Sequence, residues 1–214
     1  MANKPDLLSE ITFGSFLQYS PRGTSQTSKR SRLWCNAVKS DWPGKLRYLV
    51  EHLPTHGSPD LLALFGDDVV LVPTPRSAPL QKGTLWPAHR ICEELLRIGF
   101  GAEIRPDIER AKAVQKSAFA RQGERPTPQV HLDSLAIRPQ IVSGPRILVV
   151  DDVITRGATL LAAASLEKAA YSTARVATFA LVRTMGLVPE VESIVSPCVG
   201  SIRLTPTGKA WREP

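Results

Sequence analysis

The sequence predicts an α/β fold with a central parallel sheet flanked by helices, and three stretches carry that prediction. Ile147-Leu148-Val149-Val150 is a continuous β-branched and aliphatic run of strand length, suited to burial on both faces, and it ends in Asp151-Asp152. Val69-Val70-Leu71-Val72 is a second such run, stopped by Pro73-Thr74-Pro75-Arg76. Between the first run and the apolar stretch Arg175 to Val182 lies the Ala-rich segment Leu160 to Tyr171. Strand, helix, strand in that order predicts parallel pairing with right-handed crossovers.

At 214 residues the chain is long enough for one α/β domain with an appendage and too short for two comfortable ones. Hydrophobic content of 43%, charged content of 22% and a mean hydropathy of -0.08 exclude a largely disordered chain. A formal charge of +7 and a pI near 9.6 suit a polyanionic ligand or nucleic acid, and equally suit a solvated basic surface. Met1 to Glu10 lacks the succession of a secretory signal, and no apolar run approaches membrane-spanning length. A cytoplasmic protein with no membrane partner is expected. Cys35, Cys92 and Cys198 are odd in number and widely spaced, which supports neither a disulfide framework nor a zinc site.

From the N-terminus, Ile11 to Tyr19 reads as a strand. Ser20 to Arg32 is hydroxyl-rich and basic, with no apolar spacing, and reads as a loop. It is either a solvated surface segment or a phosphate-seeking arm. Leu33 to Leu53 reads as two helices around Pro43-Gly44, with Trp34 and Trp42 packing. Pro54 to Asp60 is a turn, and Leu61 to Phe65 a short apolar element. After the Val69 strand, Trp86 to Ile98 places Ile91, Leu95, Leu96 and Ile98 on one broad helical face, ended by Gly99. His89 on that helix is structural, because nothing near it completes a catalytic set. Gly101 to Pro126 carries Arg105, Arg110, Lys112, Lys116, Arg121 and Arg125 among few apolar residues and reads as a mobile basic excursion. Leu132 to Ile137 reads as a short strand. Beyond Met185 the pattern degrades into turns, short strands and a loose end.

The most informative stretch is Val149 to Thr159. Two carboxylates at the exit of a buried strand stand where open α/β sheets bind ligands. Gly157 permits a tight turn and close backbone approach, while Thr155 and Thr159 add hydroxyl donors. The following helix would point unpaired N–H groups and the positive end of its dipole at that turn. Acceptors for hydroxyls and donors for a phosphate within a few residues are the two needs of a ribose 5-phosphate.

Val149-Val150-Asp151-Asp152-Val153-Ile154-Thr155-Arg156-Gly157-Ala158-Thr159 resembles the phosphoribosyl pyrophosphate (PRPP) motif of type I phosphoribosyltransferases. The resemblance covers about Val69 to Arg183. It implies that Asp151 and Asp152 hold the ribose hydroxyls, that Thr155, Arg156, Gly157, Ala158 and Thr159 wrap the 5-phosphate, and that Mg²⁺ is reached by the two acids through water. The strand ending in prolines resembles that of ComF-like phosphoribosyltransferases, which makes Thr74, Pro75 and Arg76 the expected pyrophosphate loop. ComF-like chains bear a comparable Arg- and Gln-containing stretch after it. Arg110, Lys112 and Lys116 are therefore expected on a flexible loop that closes over PRPP. Two departures matter. Thr155 stands where 6-oxopurine enzymes usually place an Asp, which argues against hypoxanthine or guanine as acceptor. The N-terminal cysteine cluster common in ComF-like chains is absent.

The resemblance further implies a small hood, for which residues 1–60 are the available material, over a core of residues 61–185, with residues 186–214 as a tail packed on core or hood. The expected function is Mg²⁺-dependent transfer of the 5-phosphoribosyl group from PRPP to a nitrogenous base or other nitrogen nucleophile. Such a site neutralises a leaving group and fixes a sugar, and needs no His or Cys constellation. Two alternatives stay open: a PRPP-sensing regulator that binds nucleic acid without turnover, and a ComF-like accessory protein of DNA uptake. A homodimer, common in the fold, is also left open.

Overall fold

The computed structural model describes residues 4–42, 44–114, 125–139, 145–186, 188 and 190–214. The chain runs through β1 (Glu10–Tyr19), α1 (Gln26–Ser40), α2 (Lys45–Glu51), the single turns α3 (Leu53–His56) and α4 (Pro59–Leu62), β2 (Val69–Pro73) and α5 (Pro87–Arg97). It continues through β3 (Glu103–Ile104), β4 (Ile108–Arg110), α6 (Pro128–Ser134), β5 (Leu135–Ile137), β6 (Arg146–Ile154), α7 (Ala158–Ala170), β7 (Arg175–Thr184), β8 (Val195–Leu204) and β9 (Ala210–Glu213). Seven strands form one sheet in the order β3-β2-β6-β7-β1-β8-β9, and β4 pairs with β5 in a separate antiparallel ribbon. From β3 to β1 the pairing is parallel, and β8 and β9 extend that edge antiparallel. Among the described residues no helix is long and apolar enough to cross a membrane.

Two layers of side chains explain the apolar runs. Ile147 and Val149 pack with α6 and α7 residues such as Leu132 and Leu161, whereas Leu148 and Val150 pack with Val38 of α1 and Ile91 of α5. Both faces of β6 are thus covered, so a strand here cannot alternate with polar residues. β2 is buried at every position for the same reason.

The N-terminal sixty residues are not an appendage. β1 lies inside the sheet, parallel to β7, with Phe13 opposite Thr178. Phe13 and Phe16 are fully buried, each contributing about 1.5–3 kcal/mol of transfer free energy. Nor is Ser20 to Arg32 all loop, since α1 starts at Gln26 behind a Ser25 cap that accepts from the Ser28 N–H at 3.1 Å. Its inward face is carried by Ser28 and Ser31, fully buried yet hydrogen-bonded, so hydroxyls occupy positions where the periodicity calls for apolar residues. Glu190 closes this end. Its carboxylate accepts from the Thr24 and Ser25 N–H groups at 2.6 and 3.0 Å and from the Ser28 hydroxyl at 2.7 Å. These donors, those of Ser25 and Thr24 foremost, hold Glu190 well below the usual carboxylate range.

Other expectations are revised likewise. Trp42 is 48% exposed and does not pack as expected, while Trp34 stacks on Tyr48 with ring centroids 5.9 Å apart. Leu132 to Ser134 are helical in α6, where Thr127 caps and Pro128 opens the helix, and only Leu135 to Ile137 are strand. Residues 101–114 are built into the fold through β3 and β4, and 115–124 lie outside the described residues. Arg105 is buried, its guanidinium 2.7 Å from Asp107 and 3.4 Å from Glu167 of α7, and 4.4 Å above the Tyr171 ring. Burial, then the charge of Asp107, pushes the Glu167 carboxyl up to about 9. Val195 to Leu204 form a long strand rather than a loose end, because β8 completes the hydrogen-bonding edge of β1.

Candidate functional site

Four neighbouring strands, β2, β6, β7 and β1, deliver their carboxyl ends to one cavity of about 670 Å³, lined by Thr74, Asp151, Asp152, Thr184 and Tyr19 among others. This is the crevice at which open α/β sheets bind ligands. β6 continues through the acids to Ile154, so the strand period turns them to opposite sides. Asp151 accepts the Thr74 hydroxyl at 2.7 Å and the Asp152 N–H at 3.0 Å through Oδ1. Asp152 accepts the Val153 N–H at 2.8 Å and acts electrostatically on Cys35 of α1, whose thiol burial pushes up to about 11. Burial, and next the charge of Asp152, pushes Asp151 up to about 8, against the hydrogen bond from Thr74. The pair therefore holds a proton near neutrality that a bound cation would displace.

Thr74 is 2% exposed and extends the β2–β6 ladder, its N–H donating to the Val150 carbonyl at 2.8 Å. Its own carbonyl accepts from the Trp86 indole at 2.7 Å. The proline-bounded turn after β2 is thereby fixed, with Pro75 and Arg76 on the cavity wall.

Beyond the acids, Gly157 precedes α7 with φ of 89°, and a Cβ there would stand 2.8 Å from the Ile202 side chain. Conformation and space both require glycine. No side chain caps α7, so its first N–H groups remain free beside Thr155, Ala158 and Thr159 on the cavity wall.

Arg110 lies elsewhere than the sequence suggests. It stands on β4, 5% exposed, donating through Nε to the Arg76 carbonyl at 2.9 Å and through Nη1 to the Ser134 hydroxyl. Both partners are neutral. Burial pulls the guanidinium down to about 10, opposed by the field of Asp151. It is a fixed wall residue rather than part of a flexible loop, and it offers a desolvated cation to an anion in the cavity. Lys112 is exposed and does not line the cavity, and Lys116 lies outside the described residues. Arg156 is also exposed and off the cavity wall, so only the backbone of its turn serves the site.

Further residues line the cavity that the motif does not point to. Tyr19 and Lys39 come from β1 and α1, Trp86 from the start of α5, and Arg125 and His131 from the approach to and body of α6. His131 is 4% exposed, with Nε2 3.5 Å from the Thr159 hydroxyl. The arrangement places acceptors for a diol beside donors for two separate anionic groups. A scan against protein-family models and a search of curated proteins each return no match.

Proposed function

We propose that this chain is a phosphoribosyltransferase of the type I fold, moving the 5-phosphoribosyl group from PRPP to a nitrogen nucleophile with release of pyrophosphate. One observation carries the reading. A half-buried carboxylate pair, an uncapped helix start and a buried guanidinium without a carboxylate contact open onto a single cavity. A ribose bearing phosphate at one end and pyrophosphate at the other matches that order of acceptors and donors.

Asp151 and Asp152 accept the ribose hydroxyls. The turn from Thr155 to Thr159 and the first N–H groups of α7 hold the 5-phosphate. The backbone of Thr74 to Arg76, with Arg110, holds the pyrophosphate. As the C1–O bond breaks and the C1–N bond forms, the electron pair leaves with pyrophosphate, and the acceptor nitrogen loses its proton to solvent. Arg110 is already desolvated and pinned at two points, so it stabilises the departing charge without reorganising. Among the described residues no group of three or more His, Cys, Asp or Glu gathers as a metal site. Two carboxylates fit Mg²⁺, which keeps several waters and binds one or two carboxylates with substrate phosphates. Bound Mg²⁺ would supply charge neutralisation on the pyrophosphate oxygens.

The reading is tested by pyrophosphate release from PRPP and Mg²⁺ with a panel of nitrogenous bases. Release that depends on one base and is lost in Asp151→Asn is expected. A panel without release from a protein that binds Mg²⁺ and PRPP would favour the regulator.

That second reading has its own observation. Trp34 stacks on Tyr48, which is 48% exposed, and Lys45 lies 5.2 Å from the Trp34 ring centroid. An exposed ring, stacked on a half-buried one beside a cation, on a chain of net charge +7 suits base stacking on a single strand. Affinity for an oligonucleotide that falls steeply with salt and is weakened by Tyr48→Ala is the expected mark.

A further inference from the structure

Phosphoribosyl transfer as described uses no histidine, yet one is buried against the turn that opens α7. His131 sits on α6, 4% exposed, with Nε2 3.5 Å from the Thr159 hydroxyl, while its buried Nδ1 has no hydrogen-bond partner. Its backbone is fixed at both ends, because its N–H donates to the Thr127 carbonyl at 3.1 Å and its carbonyl accepts the Ser134 hydroxyl at 2.6 Å. Ser134 in turn receives Arg110. Burial, and then the charge of Arg110, pulls the imidazole down to about 4. The ring is therefore neutral near pH 7, with one nitrogen donating and the other accepting.

The tautomer decides what Thr159 can do. A hydroxyl has one hydrogen and two lone pairs. If Nε2 is unprotonated, it takes the Thr159 hydrogen and withdraws it from the cavity. If Nε2 carries the hydrogen, it donates to Thr159 Oγ1, and the hydroxyl is left to donate into the cavity. The 3.5 Å separation is long for a hydrogen bond and Nδ1 is unpartnered, so neither tautomer is enforced.

We propose that His131 is a positioning residue for phosphate: ligand binding selects the Nε2–H tautomer, which turns the Thr159 hydroxyl hydrogen onto the 5-phosphate. The proposal rests on the reading that the turn from Thr155 to Thr159 holds that phosphate. It assigns to α6 a part in reading the ligand through Thr159, with no direct contact between imidazole and phosphate.

The test is nitrogen NMR of histidine-labelled full-length protein, without ligand and with saturating Mg²⁺ and PRPP, together with calorimetric affinities for the native chain, His131→Ala and His131→Gln. The expected result is a shift of the His131 resonances to the Nε2–H pattern on binding. PRPP affinity should fall about tenfold in His131→Ala, the loss of roughly one hydrogen bond, and be largely restored in His131→Gln, whose amide can donate to Thr159. A native protein that binds PRPP with an unchanged His131 tautomer overturns the proposal and leaves the phosphoribosyl reading standing, as does His131→Ala binding as tightly as native. A native protein that does not bind PRPP overturns both. If His131→Ala fails to fold, as its melting curve will show, the native spectra and His131→Gln decide the matter.

Discussion

Replacing Thr74 with Val keeps the shape of a buried side chain and removes one hydrogen bond, the 2.7 Å contact from its hydroxyl to Asp151. In the native protein burial and the Asp152 charge push Asp151 up to about 8, and the Thr74 hydroxyl works against them. Losing a hydrogen bond to a charged group costs about 1.5–3 kcal/mol. At about 1.4 kcal/mol per unit, the pKa of Asp151 should rise by roughly one to two units. If the ionised acid is what receives the ribose and its cation, native affinity for Mg²⁺ and PRPP should climb up to about tenfold per pH unit below 8 and level off above it, with one proton released. Thr74→Val should bind about 10- to 100-fold more weakly at pH 7 and converge on the native curve at high pH. Calorimetry in buffers of different ionisation enthalpy, between about pH 6.5 and 9.5, reads both the affinity and the proton. A flat native profile, or a variant offset equally at every pH, would refute the reasoning, because Thr74 would then act on packing and not on the Asp151 proton.

Gly157→Ala should destabilise the fold by about 1–3 kcal/mol from its left-handed φ of 89°, with more from the contact to Ile202, as read from urea midpoints. Arg110→Met should leave the stability of the empty protein within about 1 kcal/mol of native, or raise it, because a buried cation without an ion pair is removed. The same change should weaken pyrophosphate binding about tenfold or more, and equal losses of stability and binding would count against the assigned role. Glu167, pushed up to about 9, holds a proton in the folded state that the unfolded chain loses above its ordinary value of 4.5. The unfolded state therefore binds fewer protons between those values, and this group's contribution to stability falls as pH rises through that window. Glu167→Gln should flatten that decline, so denaturation at pH 6 and pH 9 should show the variant gaining on native at the higher pH.

The parallel core was legible where chemistry and length agreed. The runs at Val69 and Ile147 admit no polar alternation because both faces are covered, and Gly157 stands where conformation and space both exclude a side chain. α1 was hidden because Ser28 and Ser31 fill its buried face with hydroxyls satisfied by Glu190 and by the helix itself. Arg110 was legible as a cation of interest but not as a rigid one. Its partners, the Arg76 carbonyl and the Ser134 hydroxyl, lie 34 and 24 residues away. His131 gave no signal, because its meaning comes from a contact with Thr159 across 28 residues of chain.

The central claim is that Asp151 and Asp152 hold the ribose of PRPP. Calorimetric titration of PRPP with Mg²⁺ into the native chain and into Asp151→Asn/Asp152→Asn tests it most directly, with melting curves to show that both are folded. Micromolar binding by the native protein that disappears in the double variant is the predicted result. No binding by the native protein, or equal binding by the double variant, would contradict the account.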